Sequence, residues 1–300
     1  MLEHLIVIPR AGLCNRMRTI ASAKRLCERY GARCTIAWDW GDYDDLFDDD
    51  TEWIPYSAHA DANNDFSIPG YHRIRHSYIK KGRFRADWRI PVTKYPRIIV
   101  SSCFVFYAAE ERPPRRNATC EEQNVFAWFP RPHKSIMKNV NEFRNEFIPP
   151  RTVGLHIRRT DNIGTILRSP DEVFFRKADR FVDAGYHVFL GTDNQETLRL
   201  YSRRYGSKLI FHQKTSTMEN RWPRCWSNAQ EVIDDMMDLL LLASCEFVIA
   251  SRGSSFSRTA ILLNGSPLCE TVNNPLGMMR YMWLRAGLLI NKGCRKVFDR

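Results

Sequence analysis

The 300-residue sequence has no run of apolar residues approaching the roughly 20 needed to cross a bilayer as a helix. The apolar start Leu5-Ile6-Val7-Ile8 is too short for a signal peptide and is halted by Pro9-Arg10. A cytoplasmic location is the simplest expectation. No pair among the nine cysteines has C-x-x-C spacing, and no Cys/His cluster suggests zinc. The cysteines are scattered and odd in number, so they read as reduced thiols packed in cores. Asn117-Ala118-Thr119 fits a glycosylation sequon, which matters only in a secretory compartment and otherwise reads as a chance match. Gly-Lys-Ser/Thr is absent, which excludes a P-loop, and G-x-G-x-x-G is absent, which argues against a dinucleotide fingerprint. There are no repeats, no low-complexity tracts, no heptads, no zinc finger and no ribonucleoprotein aromatic motif.

What is present is positive charge. Lys and Arg number 45 against 34 Asp and Glu, a net charge of +11 that favours anionic partners. Nucleic acid, a membrane surface and a phosphorylated small molecule all satisfy that field. The missing nucleic-acid motifs point away from the first. Hydrophobic residues at 44% and charged residues at 26% are an ordinary globular balance, and the length suggests two domains with substantial cores.

The pattern places a boundary at Pro149-Pro150, giving domains 1–149 and 150–300. In the first, Leu5–Ile8 reads as a buried strand and Ala11–Arg16 as a turn. A helix follows from about Asn15 to Tyr30, with Met17, Ile20, Ala21 and Ala23 inward and Gly31 as its stop. Cys34, Ile36 and Trp38 alternate as a second strand, and Ile98-Ile99-Val100 resumes one later. Asp39–Asp50 looks like an acidic loop, and 51–96 shows no clear period. Residues 134–147 are expected to form a connecting helix.

The second domain alternates strand and helix: strands at 152–158, 187–190, 208–211 and 246–250, with helices between them. This predicts a parallel sheet covered on both faces. Ser169-Pro170-Asp171-Glu172 has the form of a capping box with proline at the first helical position. Residues from Pro275 onward carry Met, Trp and Leu at helical spacing and are expected to pack back across the domain junction.

The chemistry is expected at strand ends. Alternation puts Val153, Leu155 and Ile157 on one face of the 152–158 strand, and Gly154, His156 and Arg158 on the other. His156 and Arg158 fall at the C-terminal end, which borders the ligand crevice of an open α/β sheet. Arg158 and Arg159 offer donor forks for phosphate oxygens, and Asp161 can hold an arginine or contact a ribose. The plain alternative is a surface strand end with a satisfied histidine and an intrachain ion pair. Ser251–Arg258 runs from a strand into a helix, so its N–H groups and hydroxyls can cradle a phosphate or merely form a serine N-cap. Asp238 borders the run Leu239–Leu242 and can accept two hydrogen bonds from a base such as guanine, whereas Asp234 and Asp235 read as a solvated face. Asp193, in Gly191-Thr192-Asp193-Asn194, faces the crevice or belongs to a helix N-cap. In the first domain, Gly12, Asn15 and Arg16 form a turn able to present donors from the opposite side.

Taken together these segments resemble the GDP-fucose-dependent fucosyltransferases of the α1,6, α1,2 and protein O-fucosyl group. Val153–Asp161 is similar to their His-x-Arg-Arg-x-Asp motif, and Phe189–Asp193 to their second motif. Asp238–Phe247 running into Gly253–Arg258 is similar to the third, and Gly12–Arg16 to their N-terminal glycine-asparagine turn. The resemblance covers about 150–270 and the first forty residues. It implies an α/β, GT-B-like fold of two Rossmann-type domains facing a cleft, and an inverting transfer needing no metal or cofactor. On this likeness Arg158, Arg159 and Asp161 are catalytic, and Arg158 binds the β-phosphate. His156 and Asp238 contact guanine, while Ser254 and Ser255 bind pyrophosphate. The expected partners are a nucleotide sugar and a glycan acceptor, with no nucleic acid. A carboxylate within Asp39–Asp50 is the expected base. Two other readings remain: the same fold using UDP-xylose or another donor, and a non-enzymatic polyanion-binding protein.

Overall fold

The computed structural model describes residues 1–61, 65–76, 79–80, 83–84, 89–111, 123–160, 163–215, 229–277 and 279. The chain falls into two compact units, Met1–Asn139 with Trp226–Met236, and Val140–Cys225 with Met237–Arg300. Asp161, the sequon at Asn117 and most of the segment after Pro275 lie outside the described residues. No helix among the described residues is long and apolar enough to cross a membrane.

The first unit is built on a five-stranded parallel sheet. Its strands are β1 (His4–Pro9), β2 (Arg33–Trp38), β3 (Glu52–Pro55), β4 (His72–Arg75) and β5 (Arg97–Ser102), in the order β3-β2-β1-β5-β4. Helix α1 (Leu13–Tyr30) links β1 to β2 and ends where Gly31 takes φ 61°, its N–H reaching the Cys27 and Glu28 carbonyls. Met17, Ile20, Ala21 and Ala23 are buried as their periodicity predicts. Arg18 is buried too, its guanidinium donating twice to the Cys103 carbonyl at 3.1 and 2.7 Å. The stretch 51–96, which has no clear period, supplies β3 and the edge strand β4. Both strands have only four residues, too few for alternation to register as a pattern.

Helix α2 (Lys134–Phe147) spans the residues expected for the connecting helix. The second unit then repeats the parallel design. Its strands are β6 (Thr152–Ile157), β7 (His187–Thr192), β8 (Leu209–Ile210), β9 (Phe247–Ser251) and β10 (Glu270–Val272), in the order β8-β7-β6-β9-β10. The helices are α3 (Ile163–Arg168), α4 (Asp171–Asp183), α5 (Gln195–Tyr205), α6 (Ala229–Ser244) and α7 (Ser255–Asn264). Val153, Leu155 and Ile157 are fully buried against Phe174, Ala178 and Tyr201 of α4 and α5. Each such side chain contributes about 1.5–3 kcal/mol. On the other face, α6 approaches closely over two glycines. A Cβ at Gly154 would lie 3.2 Å from Leu242 and from Cys245 Sγ, and one at Gly191 would lie 2.8 Å from Leu242.

Two local expectations are corrected. Ser169 does not cap α4: Pro170 occupies the N-cap, with no side-chain cap bond. The Ser169 hydroxyl instead accepts from the Arg252 N–H at 3.0 Å and lies 3.3 Å from the Val272 carbonyl, so it ties two distant loops together. Asp234 and Asp235 are not a solvated face. They are 2% and 4% exposed, and Asp234 accepts from Gln230 Nε2 at 3.1 Å. Helical spacing says which residues share a face; it does not say whether another element covers that face. The described cysteines are free thiols, and Cys14, Cys27, Cys103 and Cys245 are buried.

Gly154→Val is expected to destabilise the protein by about 1–3 kcal/mol, because α6 leaves no room for the branched side chain. Urea denaturation reads this directly; an unchanged midpoint would show that α6 can move away.

Candidate active site

In an open parallel sheet, the loops after adjacent strands diverge where the strand order reverses, and a crevice opens at the C-terminal ends. In the second unit that point lies between β6 and β9. It brings together Arg158, one residue past β6, and Ser251, the last residue of β9: the Arg158 N–H donates to Ser251 Oγ at 3.1 Å. His156, two residues earlier, is 5% exposed. Its Nδ1 lies 2.7 Å from Ser257 Oγ, and its ring stacks on Phe256 at 4.7 Å, so α7 fixes its orientation on both counts.

Asp193, at the end of β7, organises the strand end. Its Oδ1 accepts from the Arg159 N–H at 2.9 Å and its Oδ2 from the Thr160 hydroxyl at 2.7 Å. Arg158 Nε lies 3.3 Å from the same carboxylate. The neighbouring Asn194 is the N-cap of α5, accepting from the Thr197 N–H at 2.8 Å. The capping role expected of this loop thus falls to Asn194, while Asp193 binds the donors at the end of β6. Arg159 turns inward. It donates to Asp171 Oδ1 at 2.6 Å and to the Arg158 carbonyl at 3.0 Å. Buried Tyr201 also donates to Asp171, at 3.1 Å. Burial and the facing carboxylate raise the Tyr201 pKa well above its usual value, so the phenol stays a donor.

Ser254 is the N-cap of α7, its hydroxyl accepting from the Ser257 N–H at 3.4 Å, and Ser255 begins the helix. Gly253 takes φ 90° with the Arg168 guanidinium packed directly against it. Arg168 also donates from Nε to the Gly164 carbonyl at 2.6 Å. Sequence reasoning missed this arginine. It comes from α3, and only the contact with Gly253 reveals that it stands at the start of α7.

Asp238 is 3% exposed and already has two partners: His212 Nδ1 at 3.3 Å and the Lys214 ammonium at 2.8 Å. Both come from the segment after β8, and Phe143 packs edge-on against His212 at 5.8 Å. Neither partner has a sequence signal, because nothing in their spacing ties them to α6.

The turn in the first unit is equally ordered. Gly12 is the N-cap of α1, and the Asn15 carboxamide oxygen is buried without a hydrogen-bond partner among the described residues. Arg16 is 4% exposed. It donates to the Ala11 carbonyl at 3.0 Å, ion-pairs with Asp39 and lies over the Trp40 ring at 3.3 Å. Burial pulls its pKa down to about 10, with Asp39 opposing the shift. Ala11 adopts φ 66°, which favours glycine, and the Arg16 bond to its carbonyl holds that turn. Within Asp39–Asp50, Asp39 is paired with Arg10 and Arg16, and Asp49 with Lys24.

Asp193→Ala removes the acceptor shared by the Arg159 N–H and the Thr160 hydroxyl. A loss of about 1–3 kcal/mol in urea denaturation is expected. A variant as stable as the parent would mean that these donors find other partners.

No known protein-family profile and no curated protein matches the sequence. Solved structures do match. The chain is similar to NodZ α-1,6-fucosyltransferase soaked with GDP-fucose, at 17% identity and TM-score 0.57, over 93% of this chain and 97% of that one. It is similar to an Arabidopsis thaliana FUT1 mutant in complex with GDP, at 13% identity and TM-score 0.56, over 90% and 70% of the two chains. POFUT1 in complex with GDP matches at 9% identity and TM-score 0.52, over 90% and 98%. At these identities the likeness is one of fold: the chain has the α/β, GT-B fold of the fucosyltransferases.

Proposed function

We propose that the chain is an inverting, metal-independent glycosyltransferase that takes a sugar from a nucleoside diphosphate donor, GDP-fucose in the first instance, and passes it to a glycan hydroxyl. The observation that carries this reading is the meeting, at the point of strand reversal in the second unit, of Arg158, Arg168 and the start of α7. The Arg168 guanidinium beside a helix N-terminus, with Arg158 at the adjoining strand end, suits a diphosphate. The fold likeness to fucosyltransferases crystallised with GDP or GDP-fucose agrees with it.

In the reaction the acceptor oxygen bonds to the anomeric carbon as that carbon's bond to the diphosphate oxygen breaks. The diphosphate leaves with both electrons of the broken bond, and Arg158 stabilises the charge that develops there. Arg159 is bound inward to Asp171, so it acts by holding the strand end rather than by touching phosphate. Asp193 does the same from β7. The hydroxyl proton needs a base. Asp39 and Asp49 are weak candidates, because Arg10 and Arg16 engage the first and Lys24 the second. The exposed Asp42, Asp44 and Asp45 of the same loop are the better ones.

Asp238 keeps a second reading open. A carboxylate accepting from His212 and Lys214 retains further lone pairs for a guanine edge. The same pairing also places an ammonium near the base, where it can donate to a uracil carbonyl. A UDP-sugar donor is therefore the second reading.

Thermal stabilisation by GDP and GDP-fucose, without response to UDP and UDP-xylose, is the expected result. The reverse pattern would replace GDP with UDP, and no response to any nucleotide would sink the transferase reading. Arg158→Ala is expected to keep its melting temperature and to lose transfer by about 10²–10³-fold. Near-normal turnover would refute the role assigned to Arg158.

A further inference from the structure

The first unit has its own point of strand reversal, between β1 and β5, and a cavity of about 350 Å³ opens at the C-terminal ends of β1, β5 and β4. We propose that this cavity is an acceptor subsite for a sugar bearing an anionic substituent, a carboxylate or a sulfate. The word acceptor rests on the transferase reading above; the ligand chemistry rests on the cavity itself.

The register explains its character. Across the sheet, Ile6 of β1, Ile99 of β5 and Arg73 of β4 are neighbours, and so are Ile8, Ser101 and Arg75. Each row thus runs from an isoleucine in the central strand to an arginine at the edge. Tyr56 and Phe66, stacked at 5.3 Å, complete an apolar floor with Ile8 and Ile99. That floor suits the C–H face of a sugar ring, and the volume is at the lower end of the range for small-molecule sites, about 300–1,000 Å³.

The rim is cationic beyond what its ion pairs require. Arg10 lies over Tyr56 at 4.4 Å and within 3.3 Å of Asp39, a carboxylate that Arg16 also engages. Arg73 and Arg75 share the single carboxylate of Asp65. Among the described residues, the three lining arginines thus meet two carboxylates, one of which is also engaged by Arg16. The Arg75 side chain is 63% exposed, so the donors it does not give to Asp65 face solvent, where a ligand can reach them. Guanidiniums recognise carboxylate and sulfate oxygens with paired hydrogen bonds. A neutral sugar would need neither the excess charge nor the forks.

Equilibrium binding to the full chain, without donor, tests the proposal by titration calorimetry. The probes are a tetrasaccharide alternating glucuronate and N-acetylglucosamine, a neutral N-acetylglucosamine tetramer, and that tetramer carrying one sulfate. At least one acidic probe is expected to bind about tenfold or more tightly than the neutral one, the scale of one charge-assisted hydrogen bond. The preferred acidic probe identifies the substituent. Arg75→Gln, at an exposed side chain, is expected to erase the preference while leaving the melting temperature and GDP binding unchanged. Equal affinity for all three probes, or a preference that survives Arg75→Gln, overturns the proposal. GDP and UDP binding in the same samples separates the two readings: an anionic preference without binding of either nucleotide supports the saccharide site and removes only the transferase reading.

Discussion

A parallel sheet buried on both faces satisfies its backbone polar groups internally and fills its faces with apolar side chains, leaving functional polar groups to the strand ends. Both units of this chain obey that constraint. Their strand orders, β3-β2-β1-β5-β4 and β8-β7-β6-β9-β10, each reverse beside the first strand of the unit. The notable polar groups follow from there: Arg158 with Ser251 in one unit, and Arg10 with Ser101 in the other. The chemistry is located by topology first and by residue type second.

Residue type then decides what each crevice suits. In the second unit the cations are fixed from behind by carboxylates, Asp193 on the Arg159 N–H and the Arg158 guanidinium and Asp171 on the Arg159 guanidinium. Such an arrangement is rigid before any ligand arrives, and fixed charge is what helps a leaving diphosphate most. In the first unit the cations are shared more loosely between Asp39 and Asp65, over an aromatic floor.

Much of the frame was legible in the sequence. The 134–147 helix, the glycine stop at Gly31 and the inward face of Val153, Leu155 and Ile157 all follow from local periodicity and backbone sterics, which act within a few residues. The short strands of 51–96 were not legible, because four residues cannot establish a period. Ser169 shows a different failure. Its capping pattern is genuine, but two distant loops compete for the same hydroxyl and win.

The sequence by itself determined the strand-helix alternation, the glycine stop of α1 and the residues standing at strand ends, since these depend on neighbours along the chain. Only the tertiary structure decided which side chains are paired. The burial of Asp234 and Asp235, the contacts of His212 and Lys214 with Asp238, the packing of Arg168 against Gly253 and the arginine rim continuing the Ile6–Ile99 and Ile8–Ser101 rows all join residues far apart in sequence or cover a face from outside. A charged group's role depends on which opposite charge lies within a few ångströms of it, and that distance is set by folding.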